Sequence, residues 1–270
     1  MKYKFESEEI LGIIKDIEET GLCQTDKGSW HTYTGMYEGI ISQYKNKDCS
    51  LLEIGVYTGG SALLWSKYLP NAKLFFTDIN DIVNPIVFDM IGRDRYKFYL
   101  GDAYSDNLLN SIKIDSPEGF DVIIDDGPHS LESMVECVRR YLPIVKKDGY
   151  LIIEDVQDIS WCDVLANEVP LEYKENIEIV DTRHFKDRYD DIVFVVKKID
   201  SSPKIEYPLP RQRYKHYKGG TYEVITLATH TETGEKLVVY RSINFGSVYV
   251  RPLDIWNSTS EDGHKRFELI

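Results

Sequence analysis

The segment LLEIGVYTGGSALLWSKYL, residues 51–69, decides the predicted fold. An apolar run, a turn with three glycines and a helix-like run follow one another, which is typical of a buried strand leading into a helix. Glycines allow the backbone to turn tightly and allow a ligand to approach without meeting a Cβ atom. The N-terminus of the following helix favours a negatively charged group. Packing alone also explains such glycines, so the turn by itself is a weak indication of ligand binding.

Seven β-rich runs alternate with helix-like runs before residue 200. The first five are almost continuously apolar, as expected for parallel strands that are covered on both faces. The last two are joined by only about ten polar residues, which favours an antiparallel hairpin. The runs are CSLLEIGV (49–56), AKLFFTDI (72–79), YKFYLGD (96–102), FDVIIDD (120–126), GYLIIED (149–155), IEIVDT (177–182) and DIVFVVKK (191–198). This order predicts an α/β fold for residues 1–200, a Rossmann-like, seven-stranded, doubly wound sheet with an antiparallel last strand.

A second domain is predicted after a proline-rich linker. Residues 201–210 contain three prolines, which resist helix formation and indicate an extended linker. Residues 211–270 are predicted to form a small, mainly-β domain, because residues 221–243 alternate apolar and polar side chains around a turn at Thr233-Gly234. A further strand is predicted for residues 248–256. This domain resembles a small, widespread bacterial family whose function is uncharacterised.

The charge balance argues against two classes of partner. The 270-residue chain has 32 Lys and Arg against 45 Asp and Glu, a net charge of −13, and such a surface repels nucleic-acid phosphates and anionic membranes. Its four cysteines lie far apart with no CxxC pair, which favours a reducing compartment over a disulfide framework. The N-terminus lacks the apolar run of a signal peptide, and no run reaches the roughly 18 apolar residues of a membrane helix. The sequence therefore predicts a cytoplasmic protein.

Acidic residues accompany the first three predicted strands. Glu53 lies in the first strand, Asp78 ends the second and Asp102 follows the third. A carboxylate about twenty residues after the glycine turn can accept hydrogen bonds from two ribose hydroxyls. Over residues 45–197 the set resembles class I S-adenosylmethionine-dependent methyltransferases. The resemblance implies a cofactor site formed by Glu53, Gly55, Thr58, Gly59, Ser61, Asp78, Asp102, Ala103 and Asp125.

Two acidic pairs end the fourth and fifth predicted strands. Asp125-Asp126 and Glu154-Asp155 belong to neighbouring strands, whose ends lie ~5 Å apart. Carboxyl groups this close raise one another's pKa unless a cation neutralises them, and oxygen ligands suit Mg²⁺ better than zinc. His129 precedes the next helix, whose positive terminus favours a neutral imidazole that can act as a base. Turn capping and solvated loops are the structural alternative, and the choice between Mg²⁺ and Mn²⁺ stays open.

The motif DDGPHS (125–130), followed by Glu-Asp 25 residues after its histidine, resembles the metal-dependent sugar O-methyltransferases of macrolide and aminocoumarin biosynthesis. This resemblance implies that Asp126, Glu154 and Asp155 are the metal ligands. It also implies that His129 is the base and that Asp126 is a catalytic residue as well as a ligand. The stretch TDKGSWHTYTGMYEGII (25–41) resembles a segment before the core of the same group, which implies that residues 1–45 form a lid. The implied lid and substrate residues are Thr25, Asp26, Lys27, His31, Tyr33 and Tyr37. A packed N-terminal extension is the alternative.

The predicted function is transfer of a methyl group from S-adenosylmethionine, with Mg²⁺, to a hydroxyl of a nucleotide sugar, a glycan or a glycosylated metabolite. Arg183, in the polar connection 182–191, is positioned to meet an anionic acceptor, although a solvated loop explains it equally. The alternatives are a non-catalytic scaffold that recruits a partner through residues 211–270 and a catechol-type O-methyltransferase. The sequence fixes neither the acceptor nor the oligomeric state, and it is compatible with a homo-oligomer.

Overall fold

The computed structural model describes residues 3–199, 207–260 and 263–270. The chain divides into two compact units, Met1–Ile199 and Asp200–Ile270. Residues 201–206 of the predicted linker lie outside the described residues. No helix within the described ranges is both long enough and apolar enough to cross a membrane.

In the described part of the first unit, seven strands form one sheet in the order β3-β2-β1-β4-β5-β7-β6. The strands are β1 (Cys49–Ile54), β2 (Ala72–Asp78), β3 (Tyr96–Leu100), β4 (Phe120–Asp125), β5 (Val145–Ile153), β6 (Ile177–Asp181) and β7 (Ile192–Lys197). Neighbours among β1 to β5 pair in parallel, and β7 is antiparallel to both β5 and β6. The predicted doubly wound α/β fold with an antiparallel last strand is confirmed.

Helices cover both faces of this sheet. They are α1 (Glu8–Glu19), α2 (Asp26–Ser29), α3 (Thr34–Ile41), α4 (Gly60–Tyr68), α5 (Pro85–Ile91), α6 (Asp106–Asp115), α7 (Leu131–Tyr141), α8 (Trp161–Glu168) and α9 (Arg183–Lys186). Successive side chains of a strand point to opposite faces, so Leu51 joins a core with α1, α3, α4 and α5, whereas Leu52 joins a core with α6, α7 and α8. This two-sided burial explains why the strands are apolar at consecutive positions.

The N-terminal segment is part of the core of the first unit. Ile10, Tyr33 and Tyr37 are fully buried there, together with residues of β1 and α4. At Gly60, the first residue of α4, a Cβ atom would overlap the backbone carbonyl of Gln24. The predicted lid therefore packs directly on the helix that follows the glycine turn.

The second unit is a small antiparallel domain. Its described strands, in the order β11-β10-β9-β8-β12, are β8 (Arg213–His216), β9 (Thr221–Thr229), β10 (Lys236–Ser242), β11 (Val248–Pro252) and β12 (Phe267–Leu269). The predicted hairpin is confirmed, because β9 and β10 pair on either side of the Thr233-Gly234 turn. The predicted strand 248–256 is wrong after Pro252, where helix α10 (Leu253–Asn257) begins. Trp256 of this helix stacks on Phe267 with ring centroids 3.8 Å apart, so tertiary packing outweighs the strand-like pattern.

Candidate functional site

A cavity of about 950 Å³ opens at the carboxyl ends of β1 to β4. Ligands of doubly wound sheets bind at this edge, where the loops after the strands diverge. Five predicted cofactor residues line the cavity: Gly55, Ser61, Asp78, Asp102 and Ala103. Four residues of the predicted lid and catalytic sets also line it: Thr25, Asp26, Asp126 and His129. Residues predicted to bind the cofactor and residues predicted for the lid and catalysis therefore line the same cavity.

Asp78, at the end of β2, holds the glycine turn in place. Its Oδ2 accepts hydrogen bonds from the backbone N–H groups of Val56 and Tyr57, both at 3.0 Å, and its Oδ1 accepts one from Asn80 at 2.8 Å. Gly55 has φ 82°, and a Cβ atom there would overlap the carbonyl oxygen of Asp126. The turn after β1 and the loop after β4 therefore approach each other only because residue 55 is glycine.

Four predicted cofactor residues stand outside the described lining of the cavity. The hydroxyl of Thr58 accepts a hydrogen bond from the backbone of Gln24 at 3.3 Å, and Gly59 packs below α5. Asp125 is buried and accepts a hydrogen bond from Tyr104 at 2.7 Å, and its burial raises its pKa to about 6. The fourth, Glu53, lies in an acidic cluster beneath the cavity.

The ammonium group of Lys27 occupies the centre of this acidic cluster. Its Nζ lies 2.7 Å from Oδ2 of Asp126, 2.8 Å from Oε2 of Glu154 and 3.5 Å from Oε1 of Glu53. Lys27 is 1% exposed, so these ion pairs are screened very little by solvent. Burial raises the pKa of Glu53 to about 7 although Lys27 opposes this shift, whereas the pKa of Asp126 stays below its usual value because Lys27 outweighs the effect of burial.

Two buried tyrosines of the N-terminal segment bind the acidic pair that follows β5. Tyr37 donates a hydrogen bond to Oε1 of Glu154, and Tyr33 donates one to Oδ1 of Asp155 at 2.6 Å. Burial and the adjacent carboxylates raise the pKa of both phenols well above the usual value, so both remain protonated donors. Both oxygens of Glu154 are therefore already in contact with Lys27 and Tyr37.

Asp126, His129 and Asp155 form a group that could hold a metal ion, with one ligand atom of each within 4.8 Å of the others. Nε2 of His129 lies 3.8 Å from a carboxylate oxygen of Asp126 and 3.8 Å from one of Asp155. Carboxylate oxygens and an imidazole suit a divalent cation. Glu154, predicted as the third ligand, lies outside this group because its carboxylate is turned towards Lys27 and Tyr37.

A second buried group adjoins the first. Nδ1 of His31 lies 2.6 Å from Oδ1 of Asp191 and 3.5 Å from Oδ1 of Asp155, and the His31 ring stacks on Tyr33. Asp190 completes this group, and its backbone carbonyl accepts a 3.3 Å hydrogen bond from Tyr33. The sequence analysis missed both aspartates. A usable signal was present, because an antiparallel strand begins at the edge where the parallel strands end.

The predicted substrate residue Arg183 is not brought to this site. Its guanidinium pairs with the nearby Asp181, at 2.9 and 2.7 Å. A neighbour in the same connection contacts the lid instead, since Lys186 donates hydrogen bonds to the backbone carbonyls of Gly28 and His31, both at 2.9 Å. These bonds connect α9 to α2.

Each of the two units matches a different known protein family. Residues 52–156 match a family model described as a methyltransferase domain. This part of the chain is a methyltransferase domain. Residues 212–269 match a family described as a protein of unknown function, DUF1653. Both predicted family resemblances are confirmed.

Two curated relatives of the methyltransferase domain are O-methyltransferases by name. The chain is 26% identical over 137 residues to 8-demethyl-8-(2-methoxy-alpha-L-rhamnosyl)-tetracenomycin-C 3'-O-methyltransferase of Streptomyces olivaceus, covering 48% of this chain and 33% of the relative. It is 28% identical over 142 residues to mycinamicin VI 2''-O-methyltransferase of Micromonospora griseorubida, covering 50% of this chain and 34% of that relative. The chain thus spans about a third of the length of these relatives.

A solved structure supports the fold of the methyltransferase domain. The MycE methyltransferase, solved in complex with Mg, S-adenosylhomocysteine (SAH) and mycinamycin VI, superposes with a TM-score of 0.52 at 22% identity. The match covers 70% of this chain and 54% of MycE. At this identity the similarity establishes the common fold.

Proposed function

We propose that this protein is an S-adenosylmethionine-dependent and Mg²⁺-dependent O-methyltransferase that acts on a sugar hydroxyl. The observation that carries the proposal is the convergence of Asp126, Asp155 and His129 beside the large cavity of a methyltransferase domain. The sugar acceptor is proposed because curated relatives, among them the rhamnosyl-tetracenomycin-C 3'-O-methyltransferase, are named for substrates that carry a sugar.

S-adenosylmethionine is proposed to bind where Gly55, Asp78 and Asp102 line the cavity. The missing side chain at Gly55 allows a ligand to approach the backbone closely. A carboxylate has about four lone-pair positions, so Asp78 can accept a bond from a ribose hydroxyl in addition to its three amide bonds. The cavity volume of about 950 Å³ is at the upper end of the range for small-molecule sites and leaves room for an acceptor beside the cofactor.

Asp126 and Asp155 are proposed to hold Mg²⁺. Their carboxylates are hard oxygen ligands, and the Lys27 ammonium offsets only part of the negative charge of the cluster. The bound ion would supply positive charge that lowers the pKa of a nearby hydroxyl. In this arrangement Glu154 keeps Lys27 and Tyr37 in place rather than acting as a ligand.

His129 is proposed to be the general base. Its Nε2 lies between the carboxylates of Asp126 and Asp155, and its side chain lines the cavity while remaining 29% exposed. The neutral imidazole would take the proton from the acceptor hydroxyl as the oxygen attacks the methyl group and the bond from carbon to sulfur breaks. The two carboxylates would then stabilise the imidazolium that forms.

Substitution of the proposed base is expected to affect turnover more than binding. For His129→Ala we expect turnover at saturating cofactor to fall about 100-fold or more, which is the range of general base catalysis, while SAH affinity stays within about twofold because the cofactor residues are untouched. Steady-state kinetics and isothermal titration measure the two effects. His184→Ala, on α9, is the matched control. A raised KM with unchanged turnover would contradict the role of a base.

Binding experiments test the function as a whole. Isothermal titration should show SAH binding to the two-unit chain, and Mg²⁺ should bind to the loaded protein. Release of SAH in the presence of rhamnosylated acceptors should stop with excess chelator and return when Mg²⁺ is restored. Failure to bind SAH would disprove the proposed function, and full activity in chelator would disprove the metal role.

A further inference from the structure

Trp30 is an exposed aromatic residue in the wall of the cavity. It follows α2 directly, it is 59% exposed, and it lines the same cavity as Asp78 and His129. Large aromatic side chains bury much apolar area when they meet a ligand. None of the proposed roles above uses this residue.

One face of the Trp30 indole is already covered. The guanidinium of Arg188 lies over the ring, 4.4 Å from its centroid, and also pairs with the carboxylate of Asp190 at 3.1 Å. This cation–π contact restricts the orientation of the ring. The exposed indole of Trp30 is therefore held in one orientation and does not rotate freely.

Trp30 is adjacent in the chain to a residue that contacts the proposed catalytic group. The next residue, His31, has its Nδ1 at 3.5 Å from Asp155, and Asp155 in turn lies 3.8 Å from Nε2 of His129. Asp78 and Asp102, which are proposed for the nucleoside, belong to the loops after β2 and β3. A molecule stacked on Trp30 would thus be placed near the proposed base.

A carboxylate accompanies the aromatic ring. Asp26 lies one helical turn before Trp30, its side chain is 51% exposed, and it lines the same cavity. The C–H groups on one face of a sugar ring carry partial positive charge and match the negative face of an indole. A carboxylate can accept hydrogen bonds from two adjacent hydroxyls at the edge of the same sugar.

We infer that Trp30 and Asp26 form the binding site for the sugar ring of the acceptor, with Trp30 stacking on its apolar face and Asp26 accepting bonds from its hydroxyls. This inference rests on the proposed sugar O-methyltransferase function and assigns the residues that select its substrate class. Both residues are specificity-determining, because they position the sugar and take no part in the proton transfer.

The test uses the two-unit chain loaded with SAH and Mg²⁺, and methyl α-L-rhamnopyranoside as the probe. Saturation-transfer NMR of the sugar and tryptophan fluorescence measure its dissociation constant. We expect Trp30→Ala to raise this constant about tenfold and Trp30→Phe to raise it less, since a stacked ring contributes on the order of a factor of ten. Asp26→Asn should also weaken binding, whereas Trp161→Phe, on α8, should leave it unchanged. SAH affinity should be the same in all variants.

The possible outcomes separate this inference from the function on which it rests. If the wild-type protein binds SAH but no rhamnoside, or if Trp30→Ala binds the rhamnoside as well as wild type does, the inference is overturned and the cofactor proposal stands. A loss of SAH affinity in Trp30→Ala would assign the ring to the cofactor and also overturn the inference. Quenching by uridine diphosphate alone, with no effect of the sugar, would overturn it in favour of a nucleotide site. Failure of the wild-type protein to bind SAH would refute the proposed function itself.

Discussion

Replacing Asp126 by asparagine should abolish methyl transfer while leaving cofactor binding intact. The substitution keeps the shape of the side chain but removes the charge that faces Lys27 at 2.7 Å and belongs to the group with His129 and Asp155. A catalytic metal contributes several kcal/mol to a reaction of this type, so we expect turnover to fall about 1000-fold or more. The measurement is the rate of SAH release at saturating cofactor and Mg²⁺.

The control for this variant is Asp89→Asn, because Asp89 is an exposed carboxylate on α5 that pairs with Arg93 at 3.8 Å. It should retain wild-type turnover. SAH affinity of Asp126→Asn should remain within about threefold of wild type, since its binding residues lie on other loops. Wild-type turnover in Asp126→Asn, or an equal loss in the control, would remove the proposed ligand from the mechanism.

Replacing Lys27 by methionine should have the largest effect on stability. Met keeps most of the length of the side chain but leaves the buried carboxylates of Glu53, Asp126 and Glu154 without their ammonium partner. Removal of one partner from a buried ion pair costs about 3–5 kcal/mol. For a unit of this size the loss corresponds to a Tm lower by about 10 °C, which thermal unfolding followed by circular dichroism would measure in metal-free buffer.

This loss should depend on pH in a defined direction. The folded-state pKa values of Glu53 and Glu154 already lie above their unfolded values because of burial, and Lys27 limits this rise. Without Lys27 both values rise further, and that of Asp126, which Lys27 holds below its usual value, rises as well. Groups whose folded pKa is raised destabilise the protein at pH values above the unfolded pKa, and protonation relieves the penalty as the pH falls. The difference in Tm between Lys27→Met and wild type should therefore be larger at pH ~8 than at pH ~5. Lys67→Met, at an exposed position of α4, should show no such difference, and a pH-independent loss in Lys27→Met would contradict the explanation.

The order of the sheet and the convergence of two strand ends were accessible from sequence. Continuous apolar runs indicate parallel strands buried on both faces, and parallel strands place their last residues at one edge. The positions of Asp78, Asp126 and His129 around one cavity follow from that rule alone. The family resemblance added the chemistry but not the geometry of the carboxylates.

The exact partners of charged side chains were not accessible, because they depend on distant parts of the chain. A lysine is usually exposed, yet Lys27 is buried by carboxylates that follow it by 26 to 127 residues. The family resemblance implied Glu154 as a ligand, but contacts with Lys27 and Tyr37 decide where its oxygens point. Arg183 was predicted to face the substrate, but Asp181, only two residues away, offers it a nearer partner.

The packing of the N-terminal segment also changes what counts as the minimal folding unit. The recognised family region begins at Leu52, whereas Tyr33 and Tyr37 complete the hydrophobic core beneath β1 and α4. A fragment trimmed to the recognised region would expose this apolar surface to water and would lose the only ammonium that contacts Glu53 in the described chain. Any shortened version made for crystallisation or domain exchange must therefore retain the residues upstream of the recognised region, since they supply part of that core and its internal counter-charge.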